Sequence, residues 1–351
     1  MTGARDADLV VVGGGPVGLV AALHAARAGL DVVVVEPRQT PVDKACGEGI
    51  LPAGLAHLAE LGIDPSGHPL RAISYHDGDG RSVRAQFRHG PGRGVRRTVL
   101  HGALSEAALA AGVVLVRGRV VGLEQADVVS VRLQGGSPLR AAHVIAADGL
   151  HSPTRRLLGL DRPARGQRRH GLRRHLLVQP WSDDVEVYWG PLGEAYVTPV
   201  GPGLVGVALL TGEVAPYDTL LEGFPSLLAR LDGARPANAV RGAGPLRQRA
   251  LRPVDGRVLL VGDAAGYVDA LTGEGLSIGW AQTRAAVAAV AADAPGRYAR
   301  AFPIIGAGGR LLTHGLVTAT RAPVIRRRLV ATAASAPVLF RSAVTIAASG
   351  R

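Results

Sequence analysis

Residues 8–38, DLVVVGGGPVGLVAALHAARAGLDVVVVEPR, follow the order strand, glycine turn, helix, strand and acid. Leu9–Val12 and Val32–Val35 are short apolar runs, which is typical of buried parallel strands. The residues between them predict a helix from about Pro16 to Ala28, which ends at Gly29. The stretch therefore predicts a βαβ unit at the start of a parallel sheet.

The turn of this unit contains the pattern G-x-G-x-x-G, formed by Gly13, Gly15 and Gly18. The first glycine permits the tight turn, the second lets a pyrophosphate approach the backbone, and the third lets the helix pack closely on the strand. Glu36 closes the second strand, where a carboxylate can accept both hydroxyls of an adenosine ribose while the helix N-terminus holds the phosphates. The pattern predicts a dinucleotide site but does not distinguish NAD from FAD.

Composition limits the other classes of function. The chain has 351 residues, enough for two sizeable cores, and a formal net charge of +12. Lys44 is its single lysine, so the excess of arginine reflects an Ala-, Gly-, Arg- and Val-rich composition rather than a nucleic-acid site. No zinc-finger, RNP-like or helix-turn-helix pattern accompanies the charge, and we expect no nucleic-acid partner.

The single cysteine, Cys46, excludes an internal disulfide and a multi-cysteine metal site. We therefore predict no metal and a reducing, cytoplasmic location. The uncharged run Leu9–Ala26 is too rich in glycine for a signal peptide or a membrane span, and it coincides with the nucleotide motif.

Two later motifs also follow buried strands. His143–Ala147 runs into Asp148-Gly149, and Arg257–Val261 runs into Gly262-Asp263. The remaining periodicity predicts further elements. These are helices at Pro52–Leu61, Thr98–Ala111, Tyr217–Leu231 and Leu276–Ala292, a hairpin within Ala72–Phe87, a small antiparallel layer of Val113–Val116, Arg119–Leu123 and Val128–Leu133, and four strands at Arg174–Gln179, Val185–Trp189, Ala195–Pro199 and Leu204–Leu210.

Three blocks in this order resemble the FAD-dependent oxidoreductases of the p-hydroxybenzoate hydroxylase type, which include geranylgeranyl reductases and flavin halogenases. They are residues 13–36, the motif Ala147–Arg155 (ADGLHSPTR), and Val261–Gly266 (VGDAAG) followed by Leu271–Gly275 (LTGEG). The resemblance covers nearly the whole chain and implies FAD as the tightly bound nucleotide, with NAD(P)H as electron donor.

The resemblance and the motifs together give a set of cofactor-binding candidates. Asp263 can accept a hydrogen bond from a ribityl hydroxyl, and the N–H groups of Gly273, Gly275 and Leu276 can stabilise negative charge on reduced flavin. Arg97 is suited to a phosphate, although Arg96 beside it leaves that choice open. The full set is Gly13, Gly15, Pro16, Val17, Gly18, Glu36, Arg38, Lys44, Cys46, Gly47, Arg97, Val121, Asp148, Gly149, Gly262, Asp263, Gly273, Gly275 and Leu276.

The loop that contains Cys46 and Glu48 corresponds to the loop that passes close to the flavin ring in members of the family. Geranylgeranyl reductases carry a cysteine in that loop. We therefore name Cys46 and Glu48 as catalytic candidates, able to tune the pocket or assist proton transfer. The alternative is that Cys46 is a small residue packed on the ring. For substrate contact the candidates are Trp189, Tyr196 and Thr198, with a role in the core as the alternative.

The expected fold class is α/β with an α+β second layer: a Rossmann-like FAD-binding domain, a mostly antiparallel substrate-binding sheet and C-terminal helices. The predicted domains are residues 1–170 with 246–300 for FAD, including a hairpin insertion near 72–90, then 171–245 for substrate and 301–351 for the helical segment. Pro303, Pro323 and Pro337 interrupt that last segment.

The resemblance implies several reactions. We rank first an NAD(P)H-dependent monooxygenase, acting through a flavin hydroperoxide on an apolar aromatic or polyketide-like small molecule of secondary metabolism. The alternatives are a flavin reductase of isoprenoid double bonds and an electron-transfer flavoprotein without an organic substrate of its own. The halogenase signature W-x-W-x-I-P is absent, and Glu194–Pro199 (EAYVTP) keeps only part of the reductase pattern.

The C-terminal segment adds a possible partner. Residues 294–351 contain nine arginines, no acidic residue and many aliphatic residues. A basic amphipathic surface can lie on anionic lipid, so one interpretation of this segment is that it makes peripheral contact with a membrane. The other is a set of helices that pack on the nucleotide domain with solvated arginines. The oligomeric state does not follow from the sequence.

Overall fold

The structure is a computed structural model that describes residues 5–163 and 168–349. The helices are α1 (Pro16–Arg27), α2 (Pro52–Glu60), α3 (Arg97–Ala110), α4 (Pro153–Leu157), α5 (Tyr217–Leu221), α6 (Pro225–Arg230), α7 (Gly275–Ala291), α8 (Pro295–Ala301), α9 (Ala307–Ala319), α10 (Pro323–Ser335) and α11 (Pro337–Ser349). The strands are β1 (Ala7–Val12), β2 (Val32–Glu36), β3 (Gly49–Ile50), β4 (His68–Leu70), β5 (Ala72–His76), β6 (Ser82–Gln86), β7 (Gly92–Gly94), β8 (Val114–Arg117), β9 (Val120–Gln125), β10 (Val129–Leu133), β11 (Leu139–Ala146), β12 (Asp161–Arg162), β13 (His170–Leu177), β14 (Asp184–Gly190), β15 (Gly193–Gly201), β16 (Leu204–Thr211), β17 (Arg235–Pro236), β18 (Arg241–Ala243), β19 (Gln248–Ala250), β20 (Val254–Asp255), β21 (Val258–Leu260) and β22 (Gly266–Tyr267).

The first sheet follows the glycine turn. Its parallel strands lie in the order β21-β11-β1-β2-β8, with β20 antiparallel beside β21 and with β10 and β9 extending antiparallel from β11. Leu9 is in register with Val32 on one side and with His143 on the other. Since parallel strands point the same way, their carboxyl ends meet at one edge, which is where open α/β sheets bind ligands.

The place of β8 corrects one expectation. We expected Val113–Val116 in a small antiparallel layer with the two strands that follow, whereas β8 pairs parallel with β2 at the edge of the main sheet. Val114 is exposed there while Leu115 is only partly buried. An edge strand that is partly solvated alternates in polarity much as an antiparallel strand does, so the pattern did not separate the two.

The main hydrophobic core lies between the first sheet and helices α1, α2, α3 and α7. Burial of apolar surface of this kind is the dominant favourable term in folding. Trp280 of α7 is fully buried in this core, and its indole Nε1–H donates to the carbonyl oxygen of Pro16 at 3.1 Å. This contact fixes the N-terminal part of α7 beside the start of α1, so the two helix N-termini come to the same edge of the sheet.

The second sheet has the order β17-β13-β16-β15-β14-β5-β6, with β18 paired to β13. Its pairings are antiparallel apart from that of β14 with β5. The predicted hairpin within 72–90 is present as β5 and β6, but it extends this second sheet rather than forming a separate insertion in the nucleotide domain. The fold class is therefore the expected one, α/β with a mostly antiparallel second sheet.

The two faces of the second sheet have different covers. Helices α5 and α6 pack on one face, around Val205 and Val207. We expected one helix over Tyr217–Leu231, but α5 ends at Leu221 and α6 begins at Pro225, which has no N–H to continue the hydrogen-bond ladder of the preceding helix. On the other face, residues of α9, α10 and α11 form a second core with β5, β6 and β14.

Candidate functional site

The site begins where four parallel strands end. Gly13 follows β1, Glu36 ends β2, Asp148 follows β11 and Asp263 follows β21. Gly13 has a φ of +103°, and a Cβ there would lie 2.6 Å from the carbonyl oxygen of Ala147. Both observations exclude a side chain at Gly13. The absence of a side chain lets the ends of β1 and β11 lie in close contact below the site.

The N-terminus of α1 is open toward the cavity. No described side chain caps it, its first turn holds no acidic residue, and no described atom comes within 4 Å of the position a Cβ of Gly15 would take. The loop is held from behind, since Nε2 of His101 donates to the carbonyl oxygen of Gly14 at 2.9 Å. Free N–H groups at a helix N-terminus favour an anionic group such as a pyrophosphate.

Glu36 lies beside this turn. Its carboxylate accepts the Gly14 N–H at 2.8 Å and is paired with the guanidinium of Arg38, at 2.7 Å from Nε and 3.0 Å from Nη2. Burial alone would raise the pKa of Glu36, but the hydrogen bonds from Arg38 and Gly14 outweigh it and the pKa is lowered. The group is therefore an acceptor at neutral pH, as binding of ribose hydroxyls requires.

The loop after β11 is clamped to the loop after β21 by one side chain. Arg155 is fully buried, and its guanidinium donates to the carbonyl oxygens of Leu150 at 3.1 Å and Ala264 at 3.0 Å. In the same loop, Asp148 accepts the Thr154 N–H at 2.9 Å. Burial raises the pKa of Asp148 against these hydrogen bonds, and its second oxygen has no partner among the described residues.

The loop that contains Cys46 is held by contacts with charged residues. Nη2 of Arg97 lies 2.6 Å from Sγ of Cys46, and the backbone N–H of Arg97 donates to Glu48 Oε1 at 2.7 Å. Nζ of Lys44 lies 3.4 Å from Oδ2 of Asp263, which ties this loop to the motif after β21. The predicted phosphate ligand Arg97 thus also holds the Cys46–Glu48 loop.

Glu48 joins a buried network that reaches the second sheet. Oε2 of Glu48 makes a short hydrogen bond with Nε2 of His175, and both side chains are almost fully buried. Nδ1 of His175 receives N–H groups from Asn238 at 2.7 Å and Arg173 at 2.9 Å. Because Nδ1 faces two donors, we assign the proton to Nε2, which donates it to Glu48.

The network continues to Asp43. Arg173 is fully buried, and its Nη2 donates to Asp43 Oδ1 at 2.6 Å and lies 3.7 Å from Glu48 Oε1. Glu48 has a φ of +59°, a left-handed conformation that costs a non-glycine residue about 1–2 kcal/mol. Its side-chain contacts offset that cost, so the loop under Cys46 is held by long-range polar contacts.

One large cavity, of about 1,610 Å³, joins these features. Single-ligand pockets usually measure roughly 300–1,000 Å³, so there is space for a dinucleotide and a second molecule. One part is walled by the polar turns described above. The other is apolar, and its walls come from the second sheet and the C-terminal helices: Leu51, Ile73, Tyr75, Val185, Val187, Tyr196, Leu312, Leu316, Leu329, Ala333, Phe340 and Val344.

Most of the predicted residues lie on the wall of this cavity. They are Gly13, Gly15, Pro16, Val17, Glu36, Arg38, Lys44, Cys46, Gly47, Glu48, Arg97, Asp148, Gly149, Tyr196, Thr198, Asp263, Gly273, Gly275 and Leu276. Gly18 lies behind the wall, where a Cβ would meet the Gly13 oxygen at 1.8 Å. Gly262 also lies behind the wall, against Val17.

Two candidates are misplaced. Val121 is 42% exposed on the outer face of β9, whereas its neighbour Val120 lines the cavity, because successive residues of a strand face opposite sides. Trp189 is buried in the core beneath the C-terminal helices, edge-on to Tyr75, and it is Tyr75 that reaches the cavity. Neither Val121 nor Trp189 is placed to touch a ligand.

Sequence reasoning missed four residues that support the site: His101, Arg155, Arg173 and His175. Arg155 lies within the recognised ADGLHSPTR motif, so its position was a usable signal. His101 lies on the face of α3 that packs toward the glycine turn, and its partner is 87 residues away. Arg173 and His175 alternate along β13, and their partner Glu48 is more than 120 residues distant, so no local pattern links them.

Comparison with known proteins identifies the family. Residues 6–189 match the family model described as an FAD binding domain. The chain belongs to this FAD-binding family. The protein is an FAD-dependent oxidoreductase. Its sequence is 31% identical to that of the menaquinone reductase of Mycolicibacterium smegmatis, over 85% of this chain and 80% of the relative. It is 30% identical to digeranylgeranylglycerophospholipid reductase 1 of Methanothermobacter thermautotrophicus, over 78% and 74%.

A solved structure shows the same fold. The flavoprotein/dehydrogenase from Cytophaga hutchinsonii superposes with a TM-score of 0.83, covering 97% of this chain and 92% of that one at 17% identity. The family match and the relatives confirm the expected resemblance to FAD-dependent oxidoreductases and the expected FAD cofactor.

The polar part of the cavity fits FAD in this chain. The open N-terminus of α1 and Arg97 suit the pyrophosphate, and Glu36 suits the adenosine ribose. Asp263 suits a ribityl hydroxyl. The N-terminus of α7, which no described side chain caps, suits the negative charge of the reduced ring. These roles remain predictions for the individual residues.

Glu274, which precedes α7, gives a pH-dependent prediction. Burial raises the pKa of its carboxyl to about 7 from an ordinary 4.5. Neither oxygen has a hydrogen-bond partner among the described residues, and the nearby Thr272 hydroxyl, which opposes the shift weakly, is bonded to Thr313 at 2.7 Å. Between these two pH values the folded protein binds more protons than the unfolded chain, so stability falls as pH rises.

We expect this group to contribute about 3 kcal/mol of stability at low pH that is lost between about pH 4.5 and 7, at 1.36 kcal/mol per pKa unit. Denaturant unfolding of the apoprotein at pH 5 and pH 8 measures it. Glu274→Gln should reduce the difference by about that amount, while Glu222→Gln, at an exposed carboxylate, should leave it as in the wild type. Other buried carboxyls, such as Glu194, whose pKa burial also raises to about 7, account for the remainder. An unaltered difference in Glu274→Gln would contradict the prediction.

Proposed function

We propose that this FAD-dependent oxidoreductase reduces isoprenoid double bonds in an apolar, lipid-like small molecule, such as the chain of a prenylated quinone or glycerolipid. NADPH or NADH is the proposed electron donor. Two of its relatives carry names of reductases with such substrates, a menaquinone and a digeranylgeranylglycerophospholipid. The sequence alone ranked a monooxygenase first, and the relatives together with the cavity support the alternative it kept open.

The observation that carries the proposal is the apolar part of the cavity. It continues from the polar turns, and its walls are aliphatic and aromatic side chains of the second sheet and of α9, α10 and α11. A hydroxylase acting on a compact aromatic ring needs a pocket that encloses that ring. A pocket extended by three helices instead suits a long flexible hydrocarbon chain, whose binding gains from burial of apolar surface.

The residues of the site have two proposed roles, the stabilisation of negative charge and the transfer of a proton. Bound FAD supplies the hydride-transfer chemistry. The N–H groups of Gly275 and Leu276 at the start of α7 stabilise negative charge at its ring. Cys46 is the proposed proton carrier at its Sγ, because the guanidinium of Arg97 2.6 Å away stabilises the thiolate left after donation. The hydroxyl of Tyr196 donates to the Leu271 carbonyl at 2.9 Å and thereby fixes the wall between sheet and loop.

The test is product analysis with the purified, FAD-loaded protein. It is incubated without oxygen with dithionite, NADPH or NADH and with a detergent-dispersed menaquinone or geranylgeranyl lipid, followed by mass spectrometry. The expected product has gained two hydrogens in its isoprenoid chain, which remain after air has reoxidised any quinol that dithionite formed from the quinone ring. A parallel incubation with NADPH or NADH is run in air, and a product there that has gained one oxygen atom, with no hydrogenated product in the anaerobic incubation, would overturn the proposal in favour of the hydroxylase.

A matched pair of α10 variants tests the substrate site. Ala333 lines the apolar part of the cavity, while Ala334 next to it is exposed. We expect Ala333→Trp to raise KM for the long-chain substrate about tenfold or more, because the indole fills space the chain requires, with FAD content unchanged. Ala334→Trp should behave as the wild type. Equal kinetics in both variants would place the substrate elsewhere.

A further inference from the structure

The C-terminal helices carry apolar side chains that are exposed rather than buried. Leu311 is 76% exposed, Leu339 72%, and Val324 and Val338 64% each. Leu311 belongs to α9, Val324 to α10, and the other two to α11. Apolar exposure spread over three consecutive helices is unlike the scattered single residues of an ordinary surface and marks an interaction site.

Part of this exposed apolar set lies at a mouth of the cavity. Val324, Ile325 and Leu339 line the cavity and are also exposed, so the cavity reaches the surface between α10 and α11. Leu311 precedes the lining residue Leu312, and Val338 precedes Leu339. We define the tail surface as Leu311, Val324, Ile325, Val338 and Leu339 together with Arg321, Arg327 and Arg328.

The charge of the tail surface is of one sign. Residues 294–349 contain eight arginines and no acidic residue. Arg321, Arg327 and Arg328 are exposed. Strand β6, which packs under α10 and α11, has the sequence SVRAQ and adds no acid. Exposed aliphatic side chains beside clustered arginines complement an anionic lipid surface, into which the apolar residues insert while the arginines meet the headgroups.

The helices are suited to lying on a bilayer. Among the described residues, no single helix is long and apolar enough to cross a membrane. Val324–Ser335 and Pro337–Ala348 would pass together by length and composition, but they are bent by 103° at the break between them. Such a bend places two short helices along a surface more readily than through it.

We propose that the tail surface docks on an anionic lipid bilayer, so that the apolar part of the cavity opens directly into the lipid that holds the substrate. The delivery of substrate rests on the proposed function, whereas the docking does not. A long-chain substrate then passes from bilayer to cavity without crossing water, which avoids the cost of hydrating its apolar chain.

The test is binding of the FAD-loaded full chain to vesicles, measured by co-sedimentation. Vesicles of phosphatidylcholine are compared with vesicles that also contain phosphatidylglycerol. We expect at least about tenfold tighter binding to the anionic vesicles, weakened by added salt. No preference for anionic vesicles would overturn the proposal.

Two double variants and a control locate the surface. Arg327→Glu/Arg328→Glu should weaken binding to anionic vesicles at least about tenfold. Leu311→Ser/Val338→Ser should weaken it comparably and make what remains more sensitive to salt. Arg117→Glu/Arg235→Glu reverses two exposed arginines on β8 and β17 and should bind as the wild type. FAD absorbance confirms the fold of each variant, and an equal loss in the control pair would overturn the assignment.

The outcomes separate docking from reaction. Vesicle binding with these variant effects, without a hydrogenated product from detergent-dispersed substrate, would support docking and overturn the proposed function. A hydrogenated product from a protein that does not bind anionic vesicles would support the function and overturn docking.

Discussion

Replacing Gly15 by alanine is expected to weaken FAD binding about tenfold or more while leaving the stability of the apoprotein unchanged. The backbone of Gly15 has φ −72° and ψ 175°, a conformation that alanine adopts freely. No described atom lies within 4 Å of the added Cβ, so the fold accepts it. The methyl group instead enters the space at the N-terminus of α1 that a pyrophosphate needs for close approach.

The measurement is FAD titration of the apoprotein, followed by flavin fluorescence, together with thermal unfolding without FAD. A tenfold change in affinity corresponds to about 1.4 kcal/mol. Gly102→Ala is the matched control, since its Cβ also meets open space but lies on α3 away from the cavity. It should leave FAD affinity unchanged and increase stability slightly, because alanine favours helix.

Gly18→Ala should behave differently from both. Its Cβ would lie 1.8 Å from the Gly13 oxygen, so α1 must move away from β1 and stability falls before any ligand is added. Wild-type FAD affinity in Gly15→Ala would mean that the pyrophosphate does not approach this turn.

Replacing Glu48 by alanine is expected to lower the free energy of unfolding by about 3–5 kcal/mol, the usual cost of removing one partner from a buried charged pair. The variant leaves the Nε2–H of His175 and the N–H of Arg97 without acceptors and removes a carboxylate near Arg173. Glu106→Ala, at an exposed site on α3, should change stability by less than about 0.5 kcal/mol. Denaturant unfolding compares the two.

The conservative variant Glu48→Gln tests the assigned histidine tautomer. A glutamine can accept only through its carbonyl oxygen, but Glu48 receives donors at both oxygens. A change of tautomer that moves the His175 proton from Nε2 to Nδ1 does not relieve the unsatisfied donor, because Nδ1 already faces the N–H groups of Asn238 and Arg173. We therefore expect Glu48→Gln to cost about 1–3 kcal/mol, the penalty for one unsatisfied buried donor. Wild-type stability would contradict the assigned tautomer.

The nucleotide half of the molecule was readable from sequence because its signals are local. The spacing of Gly13, Gly15 and Gly18 between two apolar runs defines strand, turn and helix within thirty residues, and Glu36 follows at the next strand end. Asp148 and Asp263 each follow a buried run, and parallel strands end at a common edge. Local spacing and one topological rule therefore place most cofactor candidates on one cavity wall.

The second half required the tertiary structure. Whether Trp189 or Tyr196 faces the cavity depends on which side of the sheet α9, α10 and α11 cover, and the alternation of β14 and β15 does not reveal that. The sequence pattern likewise does not show whether Val120 or Val121 of β9 faces the cavity, and the structure places Val121 on the solvated face.

Residues 8–38 and the two later motifs determined the fold class, the dinucleotide site and, through family resemblance, FAD, because these features depend on contacts close in sequence. Only the tertiary structure joined Glu48 to His175 and Arg173, and only it placed the C-terminal helices over the second sheet to build an apolar cavity with an exposed mouth. These contacts bridge more than a hundred residues, and the packing that selects them acts between whole elements rather than within any one stretch of the chain.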